Sequence, residues 1–158
     1  MDQFVFESND ESQTELFGAA LARVLPDGAV VSLRGTLGAG KTRLVQAVAR
    51  ASGVDEQPVV SPTFVLIQEY QGTRPIYHID AYRLRDEDEF DQLGPEEYFE
   101  GEGITLVEWA DRVELSMPSD RVDVQIEVIG EHARRFTVRV VGHFDPTILE
   151  RLAQEVKG

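Results

Sequence analysis

At 158 residues, 42% of them hydrophobic, the chain is sized for one domain with its own core. A formal net charge of −14 opposes polyanion binding, which depends on Lys and Arg neutralising phosphates, so no direct tight nucleic-acid binding is expected and basic protein partners are favoured. The absence of cysteine excludes disulfides and thiolate metal sites. No apolar run reaches the roughly 18 residues of a membrane span, and Met1–Glu7 lacks the basic and apolar parts of a secretion signal, so the cytoplasm is the expected location.

In chain order, Phe4-Val5-Phe6 predicts a short edge strand. Ser12-Gln13-Thr14-Glu15 has capping-box spacing, and Leu16, Phe17, Ala20, Leu21 and Val24 then recur at helical intervals. Pro26-Asp27-Gly28 ends that helix, and Ala29–Leu33 reads as a buried strand. A second helix is expected from Lys41 to Ala51, with Gly53 at its C-terminal cap. Val59–Ile67 reads as two extended segments kinked at Ser61, because Pro62 keeps the residue before it out of the helical region.

Pro75–Asp80 reads as a strand ending in a carboxylate, and Ile104–Trp109 as an apolar run with a second carboxylate, Glu108, near its end. Between them, acidic helices are expected over Asp86–Leu93 and Pro95–Phe99. Val122, Val124, Ile126 and Val128 alternate with polar residues, as do Phe136, Val138 and Val140. That pattern predicts a hairpin with one wet face. Asp145-Pro146 caps a last helix with Ile148, Leu149, Leu152 and Val156 on one face. Strands alternating with helices, followed by a late hairpin, predict an α/β three-layer sandwich with a mixed, largely parallel sheet, residues 1–158 forming a single domain.

The segment Gly35-Thr36-Leu37-Gly38-Ala39-Gly40-Lys41-Thr42 matches G-x-x-x-x-G-K-[ST] between a predicted strand and a predicted helix, the setting a phosphate-binding loop requires. Gly38 and Gly40 allow backbone conformations in which successive N–H groups turn inward around a phosphate. The helix start adds its dipole, Lys41 a point charge for the outer phosphates, and Thr42 a hydroxyl for Mg²⁺. The sequence therefore predicts a nucleoside triphosphate site on a P-loop NTPase-type fold.

The loop, Asp80 and Glu108 all fall at the carboxyl ends of predicted strands, where such sheets bind ligands. Asp80 reads as a Walker-B-type carboxylate or as a cap on the following turn. Glu108 could ligate the metal or orient the attacking water, and spacing does not divide these roles. Ser61-Pro62-Thr63 is either a switch-like sensor of the terminal phosphate or an ordinary strand kink. Trp109 fits a place beside the nucleotide or in the core.

His78, His132 and His143 lack metal-ligand spacing, and His78 reads as a satisfied strand residue. The run Asp86–Asp91 is a solvated helix face or a docking surface for a basic partner. Asp91-Gln92-Leu93-Gly94 matches D-x-x-G by accident, since it falls in a predicted helix and no N-K-x-D follows to read guanine.

Several of these segments in one order resemble the bacterial TsaE (YjeE) family of P-loop ATPases. They are Thr14–Gly18, the loop Gly35–Thr42, Ser61-Pro62-Thr63-Phe64, His78-Ile79-Asp80-Ala81-Tyr82-Arg83-Leu84 and Val107-Glu108-Trp109. Thr36 stands where the family usually has Asp, and Ala81 where it usually has Leu. The resemblance implies an ATP- or ADP-binding subunit using Mg²⁺, with weak, partner-dependent ATPase activity. It would act with the TsaD–TsaB heterodimer in threonylcarbamoylation of adenosine 37 in tRNAs reading ANN codons, resetting that complex between turnovers.

By the same resemblance, Lys41, Asp80 and Glu108 are the catalytic candidates, and Thr42, Glu108 and Asp80 the metal candidates. Gly38, Ala39, Gly40, Lys41, Thr42 and Arg43 would bind the nucleotide, with Lys41 and the loop amides holding its phosphates. Glu11 and Thr14 would border the adenosine, with Trp109 nearby and Arg134, or its neighbour Arg135, reaching from the hairpin. Two other readings share the loop: a nucleotide-gated protein-binding module that needs no hydrolysis, and a small-molecule kinase. The kinase reading lacks an arginine-rich lid in this sequence.

Overall fold

Seven strands make one sheet: β1 (Gln3–Ser8), β2 (Val30–Arg34), β3 (Ile67–Gln71), β4 (Pro75–Asp80), β5 (Ile104–Glu108), β6 (Arg121–Val128) and β7 (Arg134–Val141). The structure, a computed structural model, describes residues 1–36, 39–54, 67–82, 84 and 86–157. Leu37, Gly38 and Arg83 lie outside the described residues, as do the expected extended segments up to Leu66, including Ser61-Pro62-Thr63-Phe64.

The strand order is β1-β7-β6-β2-β5-β4-β3. β6, β2, β5 and β4 are mutually parallel, whereas β1 with β7, β7 with β6, and β3 with β4 pair antiparallel. The mixed sheet and late hairpin expected from the alternation pattern are present. The parallel character is confined to the four central strands: β7 and β3 join their neighbours by hairpin-type returns rather than helical crossovers, and β1 adds antiparallel to the outer edge of β7.

β2 is buried along Val30–Leu33, as a central strand covered on both faces must be. Val31, Leu33, Ile76, Ile104 and Leu106 pack on one face with α1 (Glu11–Val24), α2 (Lys41–Ala51) and α5 (Thr147–Val156). Val30, Ile79 and Val107 pack on the other with Phe90 of α3 (Glu87–Asp91) and Val113 of a 3-10 segment, Ala110–Ser116. The short helix α4 (Glu96–Phe99) follows α3. Two helical layers thus flank the sheet. Phe17 anchors the larger core, its ring stacked against Phe6 at 5.5 Å and Phe136 at 4.6 Å.

α1 is capped two residues earlier than Ser12–Glu15 predicts. Asp10 is the N-cap, its side chain accepting from the Gln13 N–H at 3.0 Å, while Gln13 Oε1 accepts from the Asn9 N–H at 2.6 Å. The box is therefore Asp10-x-x-Gln13, and Leu16 faces outward instead of joining the core. The acidic run also has an internal role. Asp86 caps α3, and Glu87 accepts from the Leu115 N–H and Ser116 hydroxyl, pinning the 3-10 segment. Among the described residues, no helix is long and apolar enough to cross a membrane.

Candidate nucleotide site

The parallel register brings the predicted site residues to one edge of the sheet. Leu33, two residues before Gly35, lies opposite Glu108, and Glu108 lies opposite Asp80. The loop, Glu108 and Asp80 therefore stand side by side at the carboxyl ends of β2, β5 and β4.

The backbone of the loop requires its glycines. Gly40 has φ +107, in the left-handed region, and a Cβ on Gly35 would lie 2.7 Å from the Ile126 carbonyl oxygen. Gly38 lies outside the described residues. α2 begins at Lys41 with Gly40 as its N-cap and no side chain capping it. Its first N–H groups and its positive dipole end are thus presented beside the loop, an arrangement suited to an anion.

Lys41 is buried, 4% exposed, and donates to the Gly35 and Thr36 carbonyls at 2.8 and 2.9 Å. Its Nζ also lies 3.9 Å from the centroid of the Trp109 ring. Burial pushes the ammonium below its ordinary pKa, against the opposing pull of the Glu108, Asp111 and Asp80 carboxylates.

Thr42, the next residue, donates its hydroxyl to Glu108 Oε2 at 3.0 Å, with Oε1 at 3.3 Å. Glu108 is itself buried and in close contact with His78 Nε2. Asp80 accepts from the Tyr82 N–H at 2.9 Å, so the turn-capping expectation holds alongside its place beside Glu108.

These oxygens suit a hard divalent cation. Thr42 Oγ1 and the Glu108 carboxylate are already within hydrogen-bonding distance of each other, and Asp80 is the next strand's terminal carboxylate. No group of three or more His, Cys, Asp or Glu side chains able to hold a metal gathers among the described residues. A cation carried in on a triphosphate needs only one or two protein carboxylates, the rest of its shell being phosphate oxygen and water.

The hairpin places Arg134 against the loop. Arg134 Nε donates to the Ala39 carbonyl at 2.9 Å, and its Nη1 to the Ala133 and Gly130 carbonyls. Arg135 instead pairs with Glu7 and Glu127 across the sheet. Glu11 forms an ion pair with Arg43 at 2.9 Å, bridging the starts of α1 and α2. Thr14 is buried against the Ser8 hydroxyl at 2.8 Å.

Features of the site at Trp109 and Asp111 were not read from the sequence. Trp109 has φ +60, the one non-glycine residue in the left-handed region among those described. This conformation turns the chain at the end of β5, and the ring lies 4.9 Å from that of Tyr82. Asp111, just beyond it, acts electrostatically on Lys41. A left-handed tryptophan carries no residue-type signal, although a strand end followed at once by a carboxylate-rich turn could have drawn attention to Asp111.

Comparison with known proteins places the chain in a family. The family model described as threonylcarbamoyl adenosine biosynthesis protein TsaE matches residues 8–136. The chain is 37% identical over 155 residues to a Bacillus subtilis protein named tRNA threonylcarbamoyladenosine biosynthesis protein TsaE, covering 98% of this chain and 96% of that one. It is 46% identical over 109 residues to the Synechocystis protein of the same name, covering 66% and 68%. A crystal structure described as Bacillus subtilis YdiB superposes with a TM-score of 0.79 at 33% identity, covering 98% of this chain and 94% of that one.

Proposed function

The chain belongs to the TsaE family of tRNA threonylcarbamoyladenosine biosynthesis proteins, and on that premise we propose that it is a Mg²⁺-dependent ATP-binding and weakly hydrolysing subunit with a P-loop NTPase fold. The observation that carries this reading is the Thr42–Glu108 contact at the foot of the loop, with Lys41 beside it. A hydroxyl and a lysine from the first turn of α2 are there brought together with a buried carboxylate from the end of β5.

In this reading the α2 N-terminus and Lys41 bind the phosphates, and Lys41 exchanges the Gly35 and Thr36 carbonyls for phosphate oxygens. Thr42 and Glu108 hold the Mg²⁺, which when bound neutralises charge developing on the phosphates. Asp80, opposite Glu108 in the register of β4 and β5, shares the metal or orients the attacking water. Arg134, fixed to the Ala39 carbonyl, brings a second cation to the loop. Arg43, Glu11 and Thr14 form the side where the adenosine of ATP or ADP rests.

The net charge of −14 supports a protein partner over direct RNA contact. That partner is the TsaD–TsaB heterodimer, and the nucleotide cycle resets it between rounds of adenosine 37 modification. The test is to mix the chain with TsaD–TsaB and measure ternary-complex formation in ATP, in ADP and without nucleotide. Complex formation that follows the nucleotide supports the reading, and identical binding in all three conditions contradicts it.

A further inference from the structure

His78 is fully buried in the middle of β4, on the same face of the strand as Ile76 and Asp80. Its Nε2 meets Glu108 Oε2, while its Nδ1 has no hydrogen-bond partner among the described residues. Buried ring nitrogens are normally satisfied, and the neighbouring interior positions of β4 hold Ile76 and Ile79. A histidine with one nitrogen unmet, in a strand that otherwise takes isoleucine there, breaks the packing rule at the position that faces Glu108.

Glu108 has three side-chain torsions to fix, and Thr42 approaches it from α2. A carboxylate that ligates a cation only accepts hydrogen bonds, so the ring nitrogen facing it is the one that carries the hydrogen. His78 supplies that donor from the adjacent strand, where the β4–β5 register fixes its position.

We infer that His78 is a positioning residue, holding the Glu108 carboxylate toward Thr42 so that the pair meets the divalent cation of the nucleotide without rearranging. The inference rests on the Mg²⁺–nucleotide reading above. Being fully buried, His78 acts through Glu108 and touches neither nucleotide nor metal itself.

The test measures binding of a non-hydrolysable ATP analogue calorimetrically, in EDTA and across a Mg²⁺ titration, for wild type, His78→Leu, His78→Asn and His78→Gln. The Gln amide reaches the place of Nε2, whereas the Asn amide is one carbon short and Leu has no donor. Affinity in EDTA should be unchanged in all four proteins. His78→Leu and His78→Asn should need about tenfold more Mg²⁺ for half-maximal effect, the usual scale for losing a residue that orients a metal ligand, and His78→Gln should recover most of it.

Should His78→Leu fail to fold, the Asn–Gln pair carries the comparison, since both are polar and differ only in reach. An unchanged Mg²⁺ requirement in Asn and Leu, or a Gln variant as impaired as Asn, overturns the positioning role while leaving the site reading intact. A wild type whose nucleotide binding ignores Mg²⁺ overturns the site reading and the inference together.

Discussion

The Thr42 hydroxyl donates to the Glu108 carboxylate at 3.0 Å, tying the first turn of α2 to the end of the central strand β5. These residues lie 66 positions apart, so the contact exists only because β2 and β5 are parallel neighbours in register. Replacing Thr42 with Val keeps the shape but removes the oxygen, and should abolish Mg²⁺-dependent turnover, whereas Thr42→Ser should retain it. Glu108→Gln should lower ATP turnover by about a hundredfold or more while nucleotide binding survives. Steady-state hydrolysis set beside equilibrium binding separates the two effects.

Lys41 rests against the ring of Trp109, the only tryptophan in the chain. Intrinsic fluorescence therefore reports on the lysine's surroundings without a label. Adding ATP should change the emission as Lys41 leaves the ring for phosphate, and Lys41→Ala should abolish the change. An emission spectrum that ignores ATP in the wild type, under conditions where calorimetry shows binding, would contradict this exchange.

On the opposite side of β2 a paired network links the strand before the loop to the segment after Trp109. Arg121 donates to Asp123 at 2.8 Å and to Glu114 at 2.9 Å, Arg34 pairs with Glu114 at 2.6 Å, and the Ser32 hydroxyl donates to Asp123 at 2.6 Å. Asp123→Ala removes the shared acceptor and leaves Arg121 and Ser32 short of a partner. The expected loss is about 2 kcal/mol of stability, below the usual range for breaking a buried pair because Glu114 remains available. Urea unfolding of Asp123→Ala, Glu114→Ala and the double variant should reveal coupling between the two sites.

Asp10 accepts hydrogen bonds from Ser12 and the Gln13 backbone, which hold its carboxyl below the ordinary value of 3.8. A carboxyl depressed in the folded state adds stability that is fully present above its unfolded pKa and is lost as pH falls through the folded one. Wild type should therefore exceed Asp10→Asn in stability at neutral pH. The gap should close below about pH 3.8, as urea midpoints measured across the acid range would show.

Much of this architecture was legible in the sequence. Alternation in Val122–Val128 and Phe136–Val140 marked the hairpin, and apolar runs marked β2, β4 and β5, because burial on one face or two imposes those patterns directly. The loop was legible from its glycine–lysine–threonine spacing, and both carboxylates from their place at the ends of apolar runs. The cap of α1 was not, since Asp10 and Ser12 both suit an N-cap and the tertiary setting decides. Here the buried Ser8 hydroxyl donates to the Asp10 carbonyl and fixes the chain's entry into the helix.

The His78–Glu108 contact was equally out of reach. It depends on β4 lying next to β5, a matter of strand order that no local pattern encodes. The left-handed Trp109 is likewise set by the surroundings rather than by its own preference.

Whether the Lys41–Thr42–Glu108 site drives a partner-dependent ATP cycle is decided by ATP turnover with and without TsaD–TsaB, for wild type, Lys41→Ala and Glu108→Ala. Slow turnover by the wild type alone, a marked rise with the heterodimer, and no rise in either variant are expected. Equal turnover in all six samples would contradict that role.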